Sequence, residues 1–216
     1  MTTDSDAIMD GADLATFLTG KLCHDFISPA GAIASGLDLI NDPSAQDMRE
    51  EAMGLIAASS EKLIALIRFA RVAYGAATTA ERFSADDLKP LAESVFKGAR
   101  ASLDWRAEAT EFSKPHARAL LNLAQLTGAA LPGGGTATVT AREADGWLTL
   151  RGEADGVRAR LKPEAVTGLA GERLNEGLAG QWIQPYWLWR TVNDHGGSLG
   201  FTVGENRVTL TARMPL

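Results

Sequence analysis

The first third of the chain carries apolar residues at a helical period. From Gly11 to Asn41 they recur at i, i+3 and i+4, which predicts one long amphipathic helix. Asn41-Asp42-Pro43 ends this helix, and Ser44 is predicted to cap a second one that continues to about Tyr74. Two such helices bury one stripe each and cannot enclose a core alone. We therefore predict an antiparallel hairpin that forms a four-helix bundle as a homodimer.

The pattern changes after the small residues at 75–80, which predict a boundary between a domain at 1–76 and another at 77–216. Beyond it, helices are predicted at 84–97, 114–131 and 181–195, and strands at 101–105, 136–141, 147–152, 198–203 and 207–212. The last four strands are expected to form two hairpins. The predicted fold class is thus a helical hairpin followed by an α+β sandwich, one sheet covered by helices on one side.

Composition narrows the function classes. The net charge of -6 and pI near 5.1 disfavour a nucleic-acid partner, because affinity for the phosphate backbone comes mainly from positive charge. Charge, Gly or Pro interrupts every apolar run before the roughly 18 residues of a membrane span, and the acidic start is unlike a signal peptide, so a cytoplasmic protein without membrane contact is predicted. One cysteine and three histidines disfavour a disulfide or a structural zinc site.

One histidine in the first helix stands apart from the apolar residues. At about 100° per residue, His24 lies roughly 130° from the middle of the apolar cluster and is predicted to face solvent. A glycine inside a helix costs roughly 1 kcal/mol relative to alanine, so helix stability alone does not explain the small residues near it. The alternative is a plain surface histidine, with glycines that allow close helix packing. The predicted partner-binding residues on this helix are Gly20, Lys21, Ser28, Gly31 and Ser35.

The segment Leu22-Cys23-His24-Asp25-Phe26-Ile27-Ser28-Pro29 resembles the phosphoacceptor motif of sensor histidine kinases, in which an acidic residue follows the histidine and a proline stands five positions on. The resemblance implies that His24 is the phosphoacceptor and that Asp25 orients its ring or holds its proton. A neutral imidazole, with a pKa of about 6.5, is a nitrogen nucleophile at cellular pH. Cys23 falls on the apolar side and is predicted to be a core residue. Three consecutive helical residues diverge too far to share a metal ion, so no metal site is predicted at Cys23-His24-Asp25.

The second half resembles the ATP-binding domain of the same kinases, without its nucleotide ligands. Asn122 matches the first asparagine of their metal-binding helix, but Leu126 stands where the magnesium ligand belongs. Leu131-Pro132-Gly133-Gly134 falls at the family's Thr-Pro-x-Gly-Gly stretch, whereas the glycine-rich loops that wrap a nucleotide are missing. The resemblance implies that this chain binds no cofactor and no ATP. Aromatic rings are predicted to fill part of the former purine space, from Trp182, Tyr186, Trp187 and Trp189.

In combination, these features are similar to the alphaproteobacterial histidine phosphotransferases from about Asp13 to the C-terminus, including Leu37-Asp38-Leu39 and Arg158-Ala159-Arg160-Leu161. The resemblance implies a multistep phosphorelay. The receiver aspartate of a hybrid sensor kinase gives its phosphoryl group to His24, which passes it to receiver domains of response regulators that control the cell cycle. Magnesium is expected in the partner receiver. Arg158 and Arg160 alternate as on one side of an extended segment, and are predicted to meet an acidic receiver surface.

Two alternatives remain open from the sequence. An ATP-dependent histidine kinase is disfavoured by Leu126 and the missing glycine loops. A non-catalytic dimeric adaptor would leave His24 dispensable, and the small-residue strip disfavours it without excluding it. Nucleotide binding distinguishes the first alternative, and phosphoryl acceptance by His24 distinguishes the second.

Overall fold

The computed structural model describes residues 8–75, 80–174 and 179–216. It begins with two antiparallel helices, α1 (Gly11–Asn41) and α2 (Arg49–Ala73), as the apolar period predicts. The Asp10 carboxylate caps α1 by accepting a hydrogen bond from the Asp13 backbone N–H at 2.8 Å. The predicted domain boundary after residue 76 lies outside the described residues, so it stays a prediction.

The connection between the two helices differs from the prediction. Ser44 does not cap α2, because a 3₁₀ turn at Gln46–Met48 precedes the helix. The carboxylate of Asp42 instead accepts hydrogen bonds from the Ser44 backbone N–H and hydroxyl, at 2.8 and 2.7 Å. These two bonds lower the pKa of Asp42 below its usual value. The aspartate after α1, rather than the serine, therefore organises this turn.

Close packing of the two helices depends on a glycine. A Cβ atom at Gly36 would lie 2.6 Å from Cγ1 of Ile56 and 3.1 Å from the carbonyl oxygen of Ala52. The neighbouring turns of α1 therefore approach α2 more closely than any larger residue allows. Pro29 is buried, and α1 continues through it without interruption.

The remaining residues form an α+β region. Its elements in chain order are β1 (Arg82–Ser84), α3 (Ala85–Phe96), β2 (Ala101–Ala107), β3 (Glu111–Ser113), α4 (Lys114–Ala129), β4 (Gly135–Ala144), β5 (Trp147–Asp155), α5 (Pro163–Leu169), α6 (Ala179–Asp194), β6 (Ser198–Gly204) and β7 (Arg207–Pro215). The large sheet has the order β2-β4-β5-β7-β6, in which β2 and β4 are parallel and the other pairs antiparallel. The predicted strands and long helices are confirmed.

The sheet buries one face and exposes the other. Alternate residues of the central strands are fully buried under α4 and α6, as Val139, Leu150 and Leu210 illustrate. The hairpin turns take left-handed backbone, with φ of 53° at Asp145 and 58° at Asn206. The short β1–β3 ladder and α5 were not predicted, since elements of three to seven residues carry too little periodic pattern.

The open end of the hairpin packs against the α+β region at two places. Phe69 and Ala73 at the end of α2 join the main core between the sheet and its helices. Met9, just before α1, and Leu14, near its start, join a second cluster on α6. Within the described ranges, every helix is too short or too polar to cross a membrane.

Candidate phosphotransfer site

His24 stands in the middle of α1 with its side chain almost free in solvent. The imidazole is 85% exposed, as the helical period predicts. Its Nδ1 atom lies 3.4 Å from Oδ1 of Asp25, which is the long end of a hydrogen bond. Asp25 itself is only 26% exposed. The arrangement leaves Nε2 unobstructed and brings a carboxylate to the other ring nitrogen.

The predicted strip of small residues lies beside His24 on the exposed face. Gly20, Ser28, Gly31 and Ser35 are all exposed. A Cβ atom added at Gly20 or Gly31 would meet nothing within 4 Å, in contrast to Gly36. Of the glycines in the interior of α1, Gly36 therefore allows close helix packing, whereas Gly20 and Gly31 leave the exposed surface free of side chains. A partner can approach the imidazole over this strip without displacing any side chain.

Lys21 is not part of that surface, so its predicted place among the docking residues is wrong. The residue is 8% exposed and faces inward. Its ammonium group donates to Oδ2 of Asp25 at 2.7 Å. This contact was not predicted, although lysine and aspartate four residues apart on a helix are a recognisable ion-pair spacing.

Cys23 is exposed, and its predicted place in the core is wrong for the single chain. Ile27, one turn further along the same face, is 68% exposed. Both residues belong to an apolar side of α1 that neither α2 nor the α+β region covers. The predicted apolar cluster of this helix is thus divided between a covered face and an open one.

Arg158 does not lie in an extended segment. Its backbone is left-handed, with φ of 69°, and its N–H donates to Oδ1 of Asn206 at 3.2 Å. Arg160 is exposed, and its N–H donates to the carbonyl oxygen of Ala130 at 2.9 Å. The predicted alternation of the two arginines along an extended segment is therefore wrong, because Arg158 lies in a turn. A docking role for either residue stays a prediction.

The residues that resemble a nucleotide site serve packing here. Leu126 is 6% exposed. The fully buried amide of Asn122 donates to the carbonyl oxygens of Ala73 at 2.8 Å and Arg118 at 2.9 Å. Its oxygen accepts from Nε2 of Gln184 at 3.2 Å. Asn122 thus fastens the end of α2 to α4 and α6.

The glycines of the Leu-Pro-Gly-Gly stretch are also used internally. A Cβ atom at Gly133 would lie 2.8 Å from the carbonyl oxygen of Val157, and one at Gly134, whose φ is 91°, would lie 3.1 Å from that of Arg100. These glycines close the turn between α4 and β4 against neighbouring backbone. Close approach to neighbouring backbone accounts for both glycines.

Comparison with known proteins identifies the family. The family profile described as the histidine phosphotransferase C-terminal domain matches residues 85–207, more than half of the chain. The chain belongs to the histidine phosphotransferase family. It is 29% identical over 205 residues to the protein phosphotransferase ChpT of Brucella abortus (strain 2308), covering 94% of this chain and 97% of that protein.

Two solved structures resemble this chain over both its helical hairpin and its α+β region. A bacterial phosphotransferase determined at 1.7 Å has a TM-score of 0.84 and 25% identity, covering 97% of this chain and all of that one. The full-length protein ShkA in complex with AMPPNP has a TM-score of 0.50 and 16% identity, covering 96% of this chain and 46% of that one, which shows the fold alone. The predicted fold class, a helical region followed by an α+β region like the ATP-binding fold of histidine kinases, is confirmed.

In this histidine phosphotransferase, the aromatic residues of α6 hold the two parts of the chain together. Trp182 meets Phe17 of α1 edge-on at 5.7 Å between ring centroids, and the Tyr186 hydroxyl accepts from the Met9 backbone N–H at 3.0 Å. The Trp187 indole N–H donates to the carbonyl oxygen of Ala73 at 2.9 Å. In this fold the rings thus make long-range contacts between α6 and the helical hairpin. That some of them also occupy a former purine space stays a prediction.

The cavity beside Leu126 is small. It measures about 230 Å³ and is lined mainly by apolar atoms, from Leu126, Ala129, Ala130, Arg160, Leu161, Lys162, Ala165, Gly180 and Gln184. Ordinary ligand pockets occupy roughly 300–1,000 Å³. In the described part of the chain, no three His, Cys, Asp or Glu side chains come together as metal ligands.

Proposed function

We propose that this histidine phosphotransferase carries the phosphoryl group on His24, taking it from a receiver-domain aspartate and passing it to receiver domains of response regulators. The observation that carries the proposal is the 85% exposed imidazole on a surface of small residues. A nucleophile that must enter another protein's acidic pocket has to project beyond its surroundings. His24 does so, and the family assignment supplies the type of reaction.

The chemistry needs little covalent help from this chain. Nε2 of His24 attacks phosphorus, the P–O bond to the receiver aspartate breaks, and its electron pair leaves on that carboxylate oxygen. In-line positioning and a cation provide most of the stabilisation in phosphoryl transfer. We propose that the receiver holds that cation, Mg²⁺. Asp25 accepts the Nδ1–H bond and balances the positive charge that develops on the ring.

The exposed face of α1 supports docking close to His24. Gly20 and Gly31 leave open space one turn before and two turns after the histidine, and Ser28 adds only a short side chain. A receiver domain that contacts this face through one of its own helices can therefore lie directly against the α1 backbone. Arg158 and Arg160 remain proposed contacts from the α+β region to an acidic receiver surface.

A homodimer is supported by uncovered seams on both helices. Apolar or small residues that are exposed or half-exposed recur at alternating spacings of four and three, at Cys23, Ile27, Ala30, Ala34 and Leu37 on α1 and at Met53, Ala57, Ser60, Ile64 and Ile67 on α2. Ile27, Met53 and Ile64 expose 68%, 57% and 50% of their surface. This spacing is the coiled-coil period. A second copy of the hairpin covers both seams and completes a four-helix bundle.

We propose that this protein uses no ATP. Leu126 supplies no oxygen ligand for magnesium, and the Asn122 amide is committed to Ala73, Arg118 and Gln184. The cavity beside Leu126 is smaller than an ordinary ligand pocket. The proposed phosphoryl donor and acceptor are both receiver domains. We therefore propose that this protein acts in the cytoplasm.

The experiment incubates the purified protein with receiver domains of hybrid sensor kinases from the same genome, each labelled by [³²P]acetyl phosphate and magnesium. We expect label on this chain that is labile in acid and stable in base, as a phosphoramidate is. Peptide mapping should assign it to His24. Acid-stable label, or label at another residue, contradicts the proposal.

A further inference from the structure

The buried lysine beneath His24 has no part in the docking surface, yet it touches the phosphotransfer site. Lys21 is 8% exposed, and its ammonium group lies 2.7 Å from Oδ2 of Asp25. A buried ammonium is costly unless it is paired. Asp25 provides the pairing, and the same carboxylate faces His24 with its other oxygen.

The two oxygens of Asp25 therefore have different partners. Oδ2 points inward to Lys21 at 2.7 Å, and Oδ1 points outward to Nδ1 of His24 at 3.4 Å. Because the inner oxygen is held, rotation of the carboxylate is restricted and the outer oxygen stays directed at the ring. Among the described residues, Asp25 is the side chain that reaches the otherwise exposed imidazole.

We infer that Lys21 is a positioning residue for phosphoryl transfer, which fixes the Asp25 carboxylate so that it accepts Nδ1–H of His24 and leaves the Nε2 lone pair as the nucleophile. The inference rests on the proposed function of His24. In the transfer the N–P bond forms at Nε2, the bond from phosphorus to the donor breaks with its electron pair on the donor atom, and the proton stays on Nδ1.

The long Nδ1–Oδ1 distance is consistent with this role. A catalytic hydrogen bond is often long in a resting structure and shortens when charge develops. The imidazole ring becomes cationic as phosphorus bonds to Nε2. A carboxylate already held by Lys21 meets that charge without reorienting, which is the benefit of preorganisation.

Tyr74, at the end of α2, is another ionisable group within electrostatic reach of Asp25. Burial, and to a smaller extent the charge of Asp25, raises the pKa of its hydroxyl well above the ordinary range. The hydroxyl has no hydrogen-bond partner among the described residues. Tyr74 therefore does not hold the carboxylate, whereas Lys21 does.

The test uses phosphoramidate as donor, since this small molecule needs no docking surface; its P–N bond breaks and ammonia leaves. Rates of phosphohistidine formation are measured by ³¹P NMR in four proteins: wild type, Lys21→Met, Asp25→Asn and the double variant. We expect Lys21→Met to slow the reaction about tenfold in the wild-type background and less than about twofold in the Asp25→Asn background, because a residue that acts through Asp25 has nothing left to position. Equal effects in both backgrounds overturn the inference.

Spectroscopy gives a readout that a merely structural lysine would not move. In ¹⁵N NMR of the folded wild-type protein, His24 should be mainly the Nδ1–H tautomer, and Lys21→Met should shift it toward Nε2–H. Lys21→Arg keeps the charge and should restore both tautomer and rate to within about threefold of wild type. A predominantly Nε2–H tautomer in the wild type overturns the inference, even if Lys21→Met fails to fold.

Lys89→Met is the matched control, because Lys89 forms an exposed i,i+4 pair with Glu93 on α3 at 3.8 Å. It should leave rate and tautomer unchanged. Failure of the proposed function is distinguishable, since then wild type and His24→Ala would react alike. If wild type alone is phosphorylated and the cycle shows no coupling, only the role of Lys21 is wrong.

Discussion

The exposed face of α1 and the region around Leu126 both contain glycines and a polar side chain, but in opposite surroundings. On α1, Gly20 and Gly31 have open space around them, and the polar side chain of His24 is 85% exposed to solvent. In the region around Leu126, Gly133 and Gly134 pack against neighbouring backbone. The polar side chain of Asn122 is buried and hydrogen-bonded there. Resemblance to a kinase motif therefore does not distinguish chemistry from packing, whereas the surroundings of each residue do.

The largest expected effect concerns the exposed site. His24→Ala should abolish phosphoryl acceptance from a labelled receiver, because no other nucleophile occupies that position. Since the ring is 85% exposed, its removal should leave the proposed dimer and the melting temperature unchanged. Autoradiography and size-exclusion chromatography measure the two. Retained label would mean that the exposed face of α1 is not the reactive one.

A charge introduced into the proposed dimer seam should strongly weaken dimerisation. Ile64→Glu places a carboxylate in the proposed seam twice, once from each copy, and should raise the dimer dissociation constant at least about a hundredfold. Leu55→Glu is the control, since Leu55 is 41% exposed on another side of α2 and should leave dimerisation nearly unchanged. Sedimentation equilibrium compares them. Equal dissociation constants for the two variants would place the dimer interface elsewhere.

A substitution in the region around Leu126 should lower the stability of the protein and leave phosphoryl transfer nearly unchanged. Asn122→Ala removes the three hydrogen bonds of a buried side chain and should lower the free energy of unfolding by about 2 kcal/mol. Phosphoryl transfer below the melting temperature should stay within about twofold of wild type. Urea denaturation and the receiver assay test both. A folded Asn122→Ala protein without transfer would show that this region still takes part in the chemistry.

A smaller effect is expected from filling the strip beside His24. Gly31→Leu should weaken receiver binding about tenfold, because the added side chain stands where the partner approaches. Gly54→Leu on α2 is the matched control: a Cβ atom there also meets nothing within 4 Å. Calorimetric titration with the receiver compares them. Unchanged binding by Gly31→Leu, or equal weakening by both, would place the receiver on another surface.

Local pattern was sufficient for much of this fold. The period of α1 and Asn41-Asp42-Pro43 set both ends of that helix, and the turn residues set both hairpins of the sheet. The exposure of His24 followed from the same period. Features of this kind depend on residues close together in the chain, where spacing carries the information.

Contacts between distant or ambiguous positions were missed. Lys21 lies between two faces of the helix, and its long side chain reaches inward because Asp25 is there to pair with it. Cys23 belongs to an apolar side that the single chain leaves open. Trp182 meets Phe17, which is far from it in the sequence, and no local pattern encodes such a contact. The left-handed backbone of Arg158 could not be predicted from the sequence either, because non-glycine residues rarely adopt this conformation.

The most direct test offers the same protein two phosphoryl donors in parallel. Purified protein receives either [γ-³²P]ATP with millimolar magnesium or a ³²P-labelled receiver domain, and base-stable label on His24 is followed over time. The account predicts label from the receiver and none from ATP, together with no heat of ATP binding in calorimetry. Label from ATP, with or without label from the receiver, would contradict it and make this protein a kinase.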